Sequence, residues 1–136
     1  MSDLTKSMSI SAAGMKAQGT RLRVISENLA NAGSTAQRPN DDPYRRKVVT
    51  FGVVLDRQLG IPLVDVARVA RDSSEFGKIY QPGHPAADAN GYVKSSNVNT
   101  LVEMADMREA ERSYQANLKV LQASRGMLQR TIDLLR

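Results

Sequence analysis

Few side chains in this sequence could carry out acid–base or metal chemistry. His84 is the single histidine, and it lies in the turn-rich segment Pro82-Gly83-His84-Pro85 with Asp88 as its nearest carboxylate. A protein metal site of this kind needs three or four ligands, so one His and one Asp do not make one. The chain has no Cys, which excludes disulfides, thiolate sites and cysteine nucleophiles. These observations favour a loop-packing role for His84.

The carboxylates of the C-terminal region do not form an acid–base pair either. Glu109 and Glu111 are two residues apart, which places them on different faces of a helix. The sequence also lacks a glycine-rich loop that could cradle a phosphate. We therefore predict that the protein is not an enzyme and has no catalytic residue, no cofactor and no metal.

The basic charge of the chain is spread over its whole length. The net charge is +5, and the densest basic run, Arg45-Arg46-Lys47, lies beside Asp41 and Asp42. A nucleic-acid-binding protein usually concentrates basic residues on one face, often with aromatic side chains beside them. Aromatic residues make up only 4% of this chain, so we expect no nucleic acid partner and a thin core.

The N-terminal sequence shows no charged segment that leads into a long apolar run, so we expect no cleaved signal peptide. No stretch reaches the roughly 18 consecutive apolar residues that a membrane span requires. The sequence therefore predicts no direct membrane insertion.

Both ends of the chain carry apolar residues at alternating spacings of three and four. This spacing is typical of a helix with one narrow apolar seam. The N-terminal seam comprises Leu4, Met8, Met15, Leu22, Ile25 and Leu29, and the C-terminal seam comprises Met107, Tyr114, Leu118, Leu121, Leu128, Ile132 and Leu135. We expect two long helices that pair as a coiled-coil-like stem, parallel or antiparallel, and that can offer the pair to neighbouring copies.

The residues between the helices differ in character. β-Branched and aromatic residues predict strands at residues 47–51 and 63–69, and short edge strands at residues 78–80 and 91–94. Thr100 and Glu103 have the spacing of a capping box at the start of the last helix. The predicted fold is mainly α with a small β-rich middle or extended arm, divided into residues 1–33, 34–98 and 99–136.

Three asparagines stand out because Asn is a weak helix former in an otherwise favourable helix. Asn28 and Asn31 lie one turn apart near the end of the first helix, and Asn117 lies inside the last one. Specific polar contacts and simple helix capping are both open at this point. The candidate assembly interface combines these amides with seam residues: Met15, Leu22, Ile25, Asn28, Leu29, Asn31, Tyr114, Asn117, Leu118, Leu121, Leu128 and Ile132.

The helix motifs resemble the terminal motifs of the axial proteins of the bacterial flagellum, the rod and hook proteins. The resemblance rests on residues 21–35 and on residues 97–117, which begin Asn97-Val98-Asn99. Residues 44–51 and 83–94, together with the short length, are similar to the FlgC family of proximal rod proteins. The resemblance covers nearly the whole chain, with Ser95-Ser96 standing where that family is expected to have a proline.

The resemblance implies a structural subunit of the flagellar basal body. Such a subunit would polymerise through its terminal helices into the hollow drive shaft that crosses the periplasm and transmits torque. It would be exported unfolded by the flagellar type III apparatus without a cleaved signal. Its partners would be copies of itself, other proximal and distal rod proteins, and the rod-base adaptor. The alternative is a helical binding module of a related secretion system that captures partner helices.

Overall fold

The computed structural model describes residues 2–136. Along the chain, two long helices come first and last, and the strands lie between them in sequence. The helices are α1 (Ser2–Ala30) and α2 (Thr100–Leu134). The strands are β1 (Lys47–Asp56), β2 (Ile61–Arg71), β3 (Gly77–Tyr80) and β4 (Tyr92–Ser95). They form two two-stranded antiparallel sheets, β1–β2 and β3–β4. This architecture confirms the predicted fold class, whereas the division into residues 1–33, 34–98 and 99–136 stays a prediction.

Residues from distant parts of the sequence assemble into two compact units. The first unit comprises the chain up to Leu22, Val49–Arg68 and Arg108–Arg136, and the second comprises Arg23–Val48 and Val69–Met107. Each unit therefore contains part of α1 and part of α2.

In the first unit the two helices run antiparallel, which the seam pattern had left open. The Ser7 and Ser124 hydroxyls lie 3.2 Å apart, and Arg21 pairs with Glu109 at 3.7 Å. Residues near the start of α1 therefore lie beside residues near the end of α2. The buried positions on α2 include Ala110 and Ser124.

Gly14 faces the side chain of Asn117 in the same unit. A Cβ built on Gly14 would lie only 2.7 Å from Asn117 Nδ2. Glycine in a helix interior costs about 1 kcal/mol relative to alanine, so its presence here is explained by the close approach of α2. By contrast, nothing lies within 4 Å of a Cβ built on Gly19.

The β1–β2 hairpin is longer than the sequence predicted. β1 continues past Gly52 to Asp56, where the prediction ended it at Phe51. A Cβ on Gly52 would meet the Ala67 Cβ at 3.1 Å, so this glycine permits close strand approach instead of ending the strand. The turn is closed by Asp56, whose Oδ1 accepts hydrogen bonds from the backbone of Gln58 and Leu59.

The core of the second unit is small, in keeping with the scarcity of aromatic residues. Ala36, Ala86 and Val93 form its buried apolar cluster. β3 pairs with β4 in the register Ile79 to Val93, and the rings of Tyr80 and Tyr92 meet edge to face with centroids 5.3 Å apart.

Both helix ends differ in detail from the sequence prediction. α1 ends at Ala30, before Gly33, and Gly33 does not adopt the left-handed conformation. α2 is capped by Asn99, whose Oδ1 accepts from the Leu101 backbone N–H at 3.1 Å. The predicted capping box of Thr100 and Glu103 is therefore wrong, because Thr100 is the first helical residue and Glu103 has other partners.

Exchanging the two α1 glycines for alanine tests the helix contact. We expect Gly14→Ala to destabilise the protein, since the new methyl group collides with Asn117, although alanine favours the helix. Gly19→Ala is the matched control and should stabilise it by about 0.5–1 kcal/mol. Urea unfolding followed by circular dichroism measures both. Equal stabilisation by the two changes would show that α2 does not pack against Gly14.

Candidate functional site

A fully buried carboxylate, Glu103, is the centre of the polar network in the second unit. Its relative exposure is 0%, a value rarely seen for an ionisable side chain without a charged partner. Arg46 donates from Nε to Glu103 Oε1, and Asn28 donates from Nδ2 to Oε2 at 3.1 Å. Both oxygens are thus hydrogen-bonded, which a buried charge requires.

Asn28 uses the whole hydrogen-bonding capacity of its amide. Nδ2 donates to Glu103 and to the Lys47 carbonyl oxygen, the latter at 2.9 Å. Oδ1 accepts from the Lys47 backbone N–H at 2.9 Å and from the Tyr44 hydroxyl at 2.7 Å. The amide pairs with the backbone of Lys47 as a neighbouring strand would. It therefore ties the end of α1 to the first residue of β1.

Three carboxylates form ion pairs with the guanidinium of Arg46. Besides Glu103, it pairs with Asp72 at 3.3 Å and with Asp106 at 3.6 Å. Burial of the guanidinium disfavours its charge, but the hydrogen bonds and charges of Glu103 and Asp72 outweigh this and raise the pKa of Arg46. The charged guanidinium of Arg46 thus links α2 to the start of β1 and the end of β2.

Asn97 supports the same segment from the other side. Its Oδ1 accepts from the Arg46 backbone N–H at 2.7 Å, and its Nδ2 donates to the carbonyl oxygens of Asp72 and Ser74, both at 3.2 Å. Two asparagine amides, Asn28 and Asn97, therefore fix the backbone on which Arg46 stands.

Each member of the basic run has a partner within the chain. Arg45 lies 4.2 Å above the Phe76 ring and donates to the Asp72 carbonyl oxygen at 2.9 Å. Lys47 Nζ pairs with Glu27 at 3.0 Å. With Arg46 in the buried network, these side chains hold the fold together and do not form an open basic patch.

Three further groups have shifted pKa values. The pKa of the Asp72 carboxyl is lowered, first by hydrogen bonds from Ser74 and also by the hydrogen bond and charge of Arg46. The pKa of the Glu27 carboxyl is lowered from its ordinary 4.5, first by the hydrogen bond from Lys47 and also by the charges of Lys47 and Arg23. Burial raises the pKa of the Tyr44 hydroxyl. Tyr44 consequently remains a proton donor toward Asn28.

Sequence reasoning identified Asn28 but missed Arg46, Asn97 and Glu103. The sequence pattern predicts a capping box for Glu103 and shows Arg46 only as part of the basic run Arg45-Arg46-Lys47. The available signal was the concentration of Asn, Arg and Glu near the inner ends of both helices, but their partners lie as far as 75 positions away in sequence.

The predicted interface residues occupy different environments. Asn28 and Ile25 are buried. Asn31 donates from Nδ2 to the Glu27 carbonyl oxygen at 2.8 Å and so caps the end of its own helix. Partial burial is shared by Met15, Leu22, Leu29, Tyr114, Asn117, Leu118, Leu121 and Leu128. Ile132 is 39% exposed. Asn117 lies in the first unit against Gly14, whereas Asn28 and Asn31 belong to the second.

His84 holds a loop in the second unit. Its Nδ1 accepts from the Ala86 backbone N–H at 3.0 Å, and its Nε2 lies 3.2 Å from the Thr35 hydroxyl. Acceptance at Nδ1 assigns the ring proton to Nε2, which donates to Thr35. Within residues 2–136 no group of three or more His, Cys, Asp or Glu side chains could hold a metal ion. None of the helices in the described part of the chain is long and apolar enough to cross a membrane.

Comparison with known proteins assigns this arrangement to a class. Residues 89–134 match the family model for the C-terminal region of flagellar basal body rod FlgEFG proteins. That match covers all of α2 and the β4 strand that precedes it, so this part of the chain is similar to the C-terminal region of flagellar rod proteins.

Full-length relatives give the particular family. The chain is 52% identical to the flagellar basal-body rod protein FlgC of Agrobacterium fabrum, over 100% of this chain and 98% of the relative. It is 42% identical to FlgC of Salmonella typhimurium over 92% of each chain, and 36% identical to FlgC of Bacillus subtilis over 94% of this chain and 95% of the relative. The chain belongs to the FlgC family of flagellar basal-body rod proteins. It is a structural component of the basal body.

Replacing Asn28 by alanine should destabilise the protein by about 1–3 kcal/mol or more, because it leaves the Lys47 N–H and one Glu103 oxygen without partners. Asn31→Ala is the matched control. It removes one hydrogen bond at an accessible helix end and should cost under about 1 kcal/mol. Urea unfolding of both variants measures the difference. Equal losses would mean that Asn28 acts only as a helix cap.

The Glu27–Lys47 pair should contribute to stability only when Glu27 is ionised. The folded-state pKa of Glu27 is lowered from its ordinary 4.5. The stabilisation by the Glu27–Lys47 pair is therefore present above pH 4.5, and it is lost as the pH falls through the lowered folded-state pKa. We expect Glu27→Gln to be less stable than the parent at neutral pH, with the gap narrowing as the pH falls below 4.5. Urea titrations of both proteins over a pH series measure it. A gap that widens in acid would contradict the assignment.

Proposed function

We propose that this chain is a subunit of the proximal rod that polymerises through its terminal helices into the hollow drive shaft of the flagellum. The observation that carries the proposal is the set of large apolar side chains left exposed on α2 when the two helices have paired. Leu101, Met127 and Leu134 are 77%, 55% and 86% exposed. Exposed apolar surface of this kind indicates a protein interaction surface.

The pairing of the helices supports an assembly role. At the described contacts between α1 and α2 the residues are small or polar, as at Ser7, Gly14 and Ser124. Small residues let two helices approach closely, and they leave larger apolar side chains free for neighbours. The partners we propose are other copies of this chain, further proximal and distal rod proteins, and the rod-base adaptor.

The weak core supports export in an unfolded state by the flagellar type III apparatus. The buried apolar residues are Ala17, Val24, Ile25, Ala36, Ala86, Val93 and Ala110. Burial of such short side chains contributes less free energy than burial of aromatic ones. A chain of this composition costs little to unfold, and it gains stability when neighbours cover its exposed surfaces.

Imaging of basal bodies from a strain deleted for this gene tests the function. We expect no complete rod in the deletion strain, and a restored rod and motility when the unaltered chain is supplied. A complete rod in the deletion strain would refute the proposal.

Leu121→Asp should abolish motility without abolishing expression. Leu121 is half-buried on α2, and in the proposed rod neighbouring subunits would cover it further. A carboxylate buried there without a partner would cost several kcal/mol. His84→Ala removes only loop hydrogen bonds, so its effect should be far milder. Swimming in soft agar, with immunoblots for expression, compares the two. Normal swimming by Leu121→Asp together with arrest by His84→Ala would reverse the roles assigned to these residues.

A further inference from the structure

α2 carries a second apolar stripe that the chain itself does not cover. The stripe repeats at helical spacing and is named here the outer stripe: Ala116, Val120, Ala123, Met127 and Leu134. Val120, Met127 and Leu134 are 47%, 55% and 86% exposed, and both alanines are exposed as well. At 3.6 residues per turn most of the outer stripe lies roughly a third of a turn away from the buried position Ala110. Val120 is one turn before the buried Ser124 and forms the edge of the stripe nearest the helix contact. The exposure of Val120, Met127 and Leu134 shows that α1 leaves the stripe uncovered.

The first unit also contains an open groove between α1 and the β1–β2 hairpin. Small residues of α1, Ala12 and Ala13, form one wall, and Val54 and Leu63 of the hairpin form the other. Ala12 and Val54 remain exposed. An apolar groove with a small-residue wall is the kind of surface into which a helix face can fit.

The charges around the two surfaces are complementary. Arg112, Lys119 and Arg130 are exposed and border the outer stripe along one side. Asp56 and Asp65 line the groove, with Lys16 as the opposing charge. Opposite charges on two apolar surfaces steer association and fix its register.

We propose that the outer stripe of one copy docks into the α1–hairpin groove of a second copy. A chain cannot make this contact with itself, because its own α2 already lies against Ser7 and Gly14 while the stripe and the groove both stay open. The contact joins two different surfaces and is therefore heterologous, so it can propagate from copy to copy without closing on a dimer. This inference rests on the proposed rod function and names the surfaces that would build it.

Disulfide trapping tests the contact, because the chain has no cysteine of its own. The test variant carries Val54→Cys and Met127→Cys in the full-length chain, expressed in the deletion strain. The control carries Val53→Cys and Met127→Cys. Val53 is more exposed than Val54, at 74% against 55%, but it points to the opposite face of β1. After mild oxidation we expect a ladder of dimers, trimers and larger species from the test variant only.

The outcomes separate this inference from the proposed function. If the unaltered chain restores the rod but the test variant swims and gives no ladder, the docking contact is wrong and the rod function stands. A ladder of equal strength from the control would also overturn the contact. If the unaltered chain restores no rod, the proposed function itself fails.

A charge reversal provides a measurement that does not depend on the cysteine variants. Arg130→Glu should weaken association of the purified chain about two- to fivefold, the effect of an exposed ion pair. Adding Asp65→Arg should recover it. Sedimentation of the full chain over a concentration series measures both. Additive weakening by the two changes would show that these residues do not face each other, and it would overturn the proposed contact.

Discussion

A completely buried carboxylate, Glu103, is the constraint on which the junction between helices and strands depends. A charge removed from water is tolerated only if it is paired and hydrogen-bonded. Arg46 and Asn28 meet that requirement, and each brings an element with it. Arg46 stands next to β1, and Asn28 belongs to the end of α1. The hydrogen bonds to Glu103 therefore hold three parts of the chain together: α2, the start of β1 and the end of α1.

The contact between α1 and α2 in the first unit rests on close packing, whereas the network around Glu103 rests on hydrogen bonds and ion pairs. Close approach of α1 and α2 is possible because the facing residues are small, with Gly14 against Asn117 as the tightest case. Larger side chains of the α2 seam, such as Leu121 and Leu128, are only partly buried. Others on α2, such as Met127 and Leu134, stay exposed. A subunit built this way gains much of its stability in the assembly, which is consistent with a rod protein.

The sequence predicted the elements better than their contacts. Both helices could be recognised because their spacing is a local property. The four strands could be recognised from their β-branched and aromatic residues, although β2 begins at Ile61, before the predicted residue 63. The end of β1 could not, because the role of Gly52 depends on Ala67 in the next strand. The site was harder still. Thr100 and Glu103 have the local form of a capping box, but Asn99 takes the capping role and Glu103 is buried against residues 57 and 75 positions away. Local pattern cannot reveal such long-range pairing. Asn28 was found because its low helix propensity is itself a local signal.

Buried polar groups also select one register between helices that could otherwise slide. A repeat of seven residues allows two helices to shift by one heptad and still present similar faces. In this chain such a shift would carry Glu103 away from Asn28 and Arg46, leaving a buried carboxylate without partners at a cost of several kcal/mol. Such a shift would also place Asn117 against a residue other than Gly14, where the absence of a side chain leaves room for it. The polar junction and the glycine contact therefore each favour the observed register. In the polymer that we propose, every subunit needs the same register, because a slipped helix pair would offer its exposed surfaces to the next subunit at a different position.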